Sequence, residues 1–139
     1  MAEIGVLEGY KHKQDVPDVE YLKLENQLSF PLYVVAKEIV NAYRNHLDPL
    51  NLTYTQYIVM MALWEYGDLS VKELGQVLRL DSGTLTPLLK KLEAKAFLKR
   101  KRSRQDERVV MVTLTDTGKA LRDEAVHIPR RLSEAAGPI

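Results

Sequence analysis

Apolar residues recur along most of this chain at the three- and four-residue spacing of helices. From Tyr21, the positions Leu24, Leu28, Leu32, Val35, Ile39 and Tyr43 form one stripe, predicting a helix that Asp48-Pro49 ends. Pro31 interrupts the stripe, so the helix either starts near Ser29–Pro31 or kinks there. Thr53 to Gln56 has the form of a capping box. The helix it opens carries Tyr57, Ile58, Met60, Met61, Leu63 and Trp64 and stops near Gly67. It is apolar nearly all round, which predicts a central position. Ser70 to Glu73 forms a second box, opening a short helix with Val71, Leu74 and Leu78 inward. After Asp81 a third helix turns Leu85, Leu88, Leu89, Leu92 and Ala96 to one side and Ser82, Thr84, Thr86, Lys90 and Lys91 to the other. Pro87 lies in its first turn or bends it.

Period-two signals replace the helical ones at Leu98–Arg102 and Val109–Leu114, predicting two strands joined by a tip at Ser103–Arg108. Thr115 then caps a helix whose buried side is Ala120, Leu121, Ala125, Ile128 and Leu132, bent or divided by Pro129. No long helix is expected beyond it. Residues 1–19 lack periodicity and read as an arm of unreadable role. Short helix, turn, polar-faced helix and hairpin together predict a mainly α fold, a winged helix-turn-helix with a small β-hairpin wing.

Charge sharpens this picture. The 139-residue chain has a net charge of only +1, yet residues 90–108 hold nine Lys/Arg against three acids. Concentrating cations on a helix end and hairpin tip is the electrostatic footprint of a DNA reader. Arg100, Arg102, Arg104 and Arg108 on the hairpin, with Ser82, Thr84, Thr86 and Lys90 on the helix, are the candidate contacts to phosphates and base edges. A module with a degenerate DNA face, used for protein contacts only, is the reading that this charge argues against.

Length fits one domain, on the usual ~100–200 residues per domain. No apolar run approaches the ~18 residues of a membrane span, so no membrane partner is expected. The first residues lack the order of a secretory signal, which predicts a cytoplasmic protein. The absence of cysteine excludes disulfides, thiolate metal sites and thiol redox sensing in this sequence. His12, His46 and His127 are scattered, with no metal-ligand spacing and no nucleophile–base pair; His46 beside Asp48 reads as a helix-end interaction. Neither an enzyme nor a cofactor or metal site is expected.

Five segments carry a resemblance: Leu24-Glu25-Asn26-Gln27-Leu28, Leu52–Tyr57, the run Leu80–Lys90 (LDSGTLTPLLK), Asp106-Glu107-Arg108, and Leu114-Thr115. Over roughly Tyr21 to Pro129 the chain resembles the MarR family of winged-helix repressors, and within it the organic-hydroperoxide sensors. The resemblance implies a homodimer on double-stranded DNA, with each recognition helix in a major groove of an A·T-rich inverted repeat. It implies a wing along the minor groove, with Arg108 inserted at the tip and Asp106 holding it. As a turn residue, Asp106 would have no such role. In domain terms it implies an arm at 1–19 and one domain at 20–139. Within the latter, 53–114 would be the DNA-binding core, and 20–48 and 115–139 the dimerisation helices.

The resemblance also implies a sensing pocket, in which one reactive cysteine is flanked by three tyrosines. The matching positions here are Ser29, Tyr33, Tyr43 and Tyr54. A serine hydroxyl cannot enter the thiol oxidation ladder, so the outline of the sensor is present with its chemistry disabled. Ser29 reads as an engineered lock or as a natural loss of sensing. Tyr54 and Tyr57 read equally well as core. The alternative function is a regulator released from DNA by a non-covalent ligand, with a small phenolic or acidic molecule near Tyr33, Tyr43 and Tyr54 in place of an organic hydroperoxide. The resemblance implies a further, final interface helix that this sequence does not reach, which reads equally as a truncated chain or as pairing of subunits by the first helix and the 115–136 helix.

Overall fold

The computed structural model describes residues 17–136. The arm expected at residues 1–19 therefore lies almost wholly outside the described residues. The chain forms two compact units, one ending at Glu38 and one starting at Ile39.

In the first unit, the expected helix from Tyr21 is broken into three pieces. A single turn, α1 (Asp18–Tyr21), is followed by a 3-10 turn at Leu24–Asn26 and then by α2, which begins at Ser29. Local side chains explain the break. Asn26 Nδ2 donates to the Glu20 carbonyl at 2.7 Å, and Gln27 Nε2 donates to the carbonyls of Tyr21 and Lys23. Those amides satisfy carbonyls that a continuous helix would have paired along its own axis. Leu24 is thus 58% exposed rather than part of a buried stripe. Pro31 is the third residue of α2 (Ser29–Leu47), in the first turn, where its missing N–H costs little. Leu32, Val35 and Ile39 remain exposed along this helix.

The second unit holds the core. A 3-10 turn at Asp48–Leu50 closes on Asn51 in the left-handed conformation (φ 57°). The Thr53 capping box then opens α3 (Tyr54–Tyr66): Gln56 N donates to Thr53 Oγ1, and Thr53 N donates to Gln56 Oε1. As its all-round apolarity predicts, α3 is central, with Tyr57, Val59, Met60, Ala62 and Leu63 buried. Gly67 ends it at φ 76°.

Ser70 has two roles. It caps α4 (Val71–Leu78) through a complete box with Glu73, and it belongs to a two-residue strand, β1 (Leu69–Ser70). The helix-turn-helix bend packs backbone on backbone: a Cβ at Gly75 would lie 2.8 Å from the Leu80 carbonyl oxygen. Next, α5 (Ser82–Ala94) runs through Pro87, its sixth residue, so Pro87 lies beyond the first turn and leaves the Gly83 carbonyl without a helical donor. Leu85, Leu89 and Leu92 are fully buried. Ala96 departs from the expected stripe. It sits outside α5, exposed and at φ 60°, where the chain reverses into β2 (Leu98–Arg102).

The wing strands, β2 and β3 (Val110–Leu114), pair antiparallel with Arg100 opposite Val112. β1 adds to the other edge of β3, giving the order β1-β3-β2 where the sequence predicts a hairpin alone. Thr115 caps α6 (Asp116–Ala125) by accepting from Gly118 N at 3.0 Å. Pro129 divides rather than bends the last helical stretch, as the second residue of α7 (Ile128–Ala136). Ala125, Ile128 and Leu132 are buried, whereas Ala120, expected with them, is exposed.

Candidate nucleic-acid interface

Burying Leu85, Leu89 and Leu92 obliges α5 to present its opposite side to solvent. Ser82, Thr84 and Lys90 are exposed there and Thr86 is half-buried. The helix start is fixed by Asp81, whose Oδ1 accepts from Thr84 N at 2.7 Å. The hydrogen bonds from Thr84 hold this carboxyl below the usual carboxylate range. One capped helix end therefore carries three small hydroxyls, and Lys90 lies farther along the same face.

At the far end of the hairpin the chain closes a tight tip. Ser103 N donates to the Val109 carbonyl at 2.7 Å, and Val109 N donates to the Asp106 carbonyl at 2.9 Å. Inside it, Asp106 grips Arg108 by three bonds. Oδ1 accepts from the Arg108 amide and from Nε, and Oδ2 accepts from Nη2, all at 3.1 Å. These bonds, the side-chain pair foremost, hold the Asp106 carboxyl below its usual range. The Arg108 side chain is nevertheless 90% exposed. A fork-on-fork pair this exposed contributes little stability, but it orients a cation that still faces outward. Arg102 Nη1 donates to the Glu107 carbonyl at 2.9 Å, and Arg104 is exposed.

Arg100 is different. Its side chain is 25% exposed, and its Nη2 lies 3.1 Å from Glu93 Oε1. Arg100 is therefore a fastener between β2 and α5 and not an outward contact, because its guanidinium is largely buried against the Glu93 carboxylate. Lys95 likewise leaves the basic patch: its Nζ donates to the Asn51 carbonyl at 2.6 Å and to Gln56 Oε1 at 2.7 Å. Burial lowers its pKa, with the neighbouring Lys91 adding to the effect. Lys72, Gln76 and Arg79, which are not among the residues the sequence singles out, line a cleft between α4 and α5 together with Ser82. The signal was available, since Lys72 and Gln76 stand four residues apart on the polar side of α4.

Of the four positions expected to form a sensing pocket, Ser29 is the first residue of α2 and Tyr33 lies one turn on, 63% exposed. In the second unit, the Tyr43 and Tyr54 rings have centroids 5.2 Å apart, and Tyr43 lies 5.9 Å from Tyr57. Tyr57, 2% exposed and 6.4 Å from Trp64, is core. Burial first, then the neighbouring phenols, raises the pKa of Tyr43 and Tyr57. No helix among the described residues is long and apolar enough to cross a membrane.

Residues 41–125 match the family described as transcriptional regulator SarA/Rot. The organic hydroperoxide resistance transcriptional regulator of Bacillus subtilis (strain 168) is 49% identical over 110 residues, 79% of this chain and 75% of that protein. The chain belongs to the SarA/Rot-type, MarR-family winged-helix transcriptional regulators. Other members agree. SarZ, an HTH-type transcriptional regulator of Staphylococcus aureus, is 48% identical over 79% of this chain and 74% of its own length. AbfR of Staphylococcus epidermidis, solved in a reduced form bound to DNA, has TM-score 0.74 and 35% identity over 84% of this chain and 86% of that one. AbfR has also been solved overoxidized on DNA and in a disulfide form. This regulator has no cysteine with which to form the latter.

Proposed function

We propose that this regulator is a repressor that binds a DNA inverted repeat as a homodimer and does not answer organic hydroperoxides by thiol chemistry. The observation that carries the reading is the outward guanidinium of Arg108 at the wing tip, whose Nε and Nη2 both donate to the Asp106 carboxylate while the Arg108 amide donates to its Oδ1. A pre-oriented cation on a narrow projection suits the minor groove, above all an A·T-rich one, whose narrow walls concentrate negative potential. Ser82, Thr84, Thr86 and Lys90 on α5 would face a major groove, with Arg102 and Arg104 on the flanking phosphates. Lys72, Gln76 and Arg79 would extend the backbone contacts beside Ser82. Pairing of two subunits would use the exposed apolar residues of α2 (Leu32, Val35, Ile39) together with the helices after Thr115. The DNA-bound relative AbfR supports the DNA partner, and the name of the Bacillus subtilis relative supports the hydroperoxide lineage.

Ser29 disables the sensor in this reading. Peroxide sensing by a thiol needs a thiolate that attacks the O–O bond and then carries the oxygen as a sulfenic acid. A hydroxyl at the same place forms no stable equivalent. The test is to select tight-binding duplexes from a random pool, then to titrate the protein and its Ser29→Cys variant onto the winner by fluorescence anisotropy, with and without cumene hydroperoxide. Enrichment of an inverted repeat, with release of the cysteine form alone, is expected. Selection of no common sequence defeats the repressor reading. Binding by both forms with release of neither defeats the account of Ser29, and places the signal elsewhere.

A further inference from the structure

We infer that Glu93 is a positioning residue that sets how far along DNA the wing reaches from the recognition helix. The inference rests on the winged reading above and assigns Glu93 a part in it. Glu93 is the second-last residue of α5, and its carboxylate meets Arg100, the middle residue of β2, at three atoms. Oε2 accepts from the Arg100 backbone amide at 3.0 Å and from Nε at 3.5 Å, while Oε1 accepts from Nη2 at 3.1 Å. The backbone bond is the important one. It ties the strand itself, and not only a side chain, to the last turn of the helix.

The strand it ties is an edge strand, since among the described residues β2 pairs only with β3. Glu93 thus takes an amide that an edge would otherwise leave to solvent. Besides this bridge and the core that Leu92 and Leu98 share, α5 and β2 are joined by the reversal at Lys95–Phe97, which pivots on Ala96 in the left-handed conformation and is closed by Phe97 N donating to the Leu92 carbonyl at 3.0 Å. Farther out, Arg102 Nη1 on the Glu107 carbonyl and Asp106 on Arg108 stiffen the wing within itself. Those outer bonds hold the shape of the wing but not its angle to α5. The angle is what fixes the number of base pairs between the major-groove contacts and the minor-groove step that Arg108 enters. Arg100 keeps the Glu93 carboxyl below its usual range, so the bridge is fully charged at neutral pH.

The experiment uses the full chain and duplexes that share one central inverted repeat but carry the A·T-rich flank in its selected place, shifted by one base pair in either direction, or replaced by G·C. Wild type is expected to prefer the selected place. Glu93→Ala is expected to lose the spacing preference, binding all three A·T placements alike, while keeping its affinity for an unrelated duplex. Glu93→Gln, which retains an acceptor for the Arg100 amide, should keep an intermediate profile and serves as the test if Glu93→Ala fails to fold. A spacing profile in Glu93→Ala, or in Glu93→Gln if only that variant folds, identical to wild type overturns the inference and leaves the winged reading standing. A wild type indifferent to every flank overturns both.

Discussion

Gly118→Ala probes the joint between the wing and α6. A Cβ at Gly118 would stand 2.0 Å from the Phe97 carbonyl oxygen, 2.9 Å from its carbon and 3.3 Å from Leu114 Cδ2. The first neighbour is backbone, so the start of α6 must retreat by about 1 Å to reach even a 3.0 Å separation. That movement strains three bonds: Trp64 Nε1 to the Gly118 carbonyl (2.9 Å), Thr115 N to the Phe97 carbonyl (3.1 Å), and Gly118 N to Thr115 Oγ1 (3.0 Å). Each such bond is worth about 0.5–1.5 kcal/mol net, and overpacking adds about 1–3 kcal/mol. The expected loss is therefore about 2.5–7.5 kcal/mol. For a chain of this length that is a fall in Tm of about 8–30 °C. Trp64 is the only tryptophan and donates to Gly118 itself, so urea unfolding followed by its fluorescence reads the joint directly. Subunit concentration is held fixed throughout. Gly83→Ala is the control: its nearest neighbour is Asp81 Oδ1 at 3.8 Å, and the change should be neutral or stabilising by up to about 1 kcal/mol. A loss below about 1 kcal/mol for Gly118→Ala would refute the claim that α6 is seated on the Phe97 backbone.

Two further changes test local conformation. Ala96→Gly relieves a left-handed alanine (φ 60°), and since that strain of about 1–2 kcal/mol exceeds the entropic cost of glycine, thermal unfolding should show a gain of about 0.5–1 kcal/mol. A loss of stability would mean that the entropic cost of glycine outweighs any left-handed strain at residue 96. For Asp81, the folded carboxyl is held below its ordinary value, so the stability it lends α5 is complete above the unfolded pKa of about 3.9 and is lost as pH falls through the lower folded value. The stability difference between wild type and Asp81→Ala should stay constant from neutral pH to about pH 5 and shrink below about pH 4; a difference that persists undiminished into strong acid would exclude a charged cap.

Much of this architecture was legible because it is written in short-range chemistry. Both capping boxes form as the Thr53/Gln56 and Ser70/Glu73 spacings predict, and Thr115 caps α6. The failures have physical causes too. Two residues cannot display a period, so β1 exists only through its pairing with β3. Ala96 continued an apolar spacing, and a reversal usually marked by glycine carried no such mark. The leucine stripe before Ser29 was real as a pattern, but Asn26 and Gln27 captured the carbonyls that helix propagation needed. At the interface, a count of positive charges could not show which were already partnered. Arg100 and Lys95 turn inward to Glu93, Gln56 and the Asn51 carbonyl, whereas Arg108 turns outward with its carboxylate behind it.

The most direct test of the winged-helix account is an anisotropy titration of wild type and Arg108→Ala onto two duplexes that differ only in the flank where the wing would lie, one A·T-rich and one G·C-rich. The account predicts that wild type prefers the A·T flank, and that Arg108→Ala binds both equally, weakened on the A·T duplex by about 1–3 kcal/mol. Equal affinity of wild type for the two flanks, or an Arg108→Ala variant with the wild-type preference intact, would contradict it.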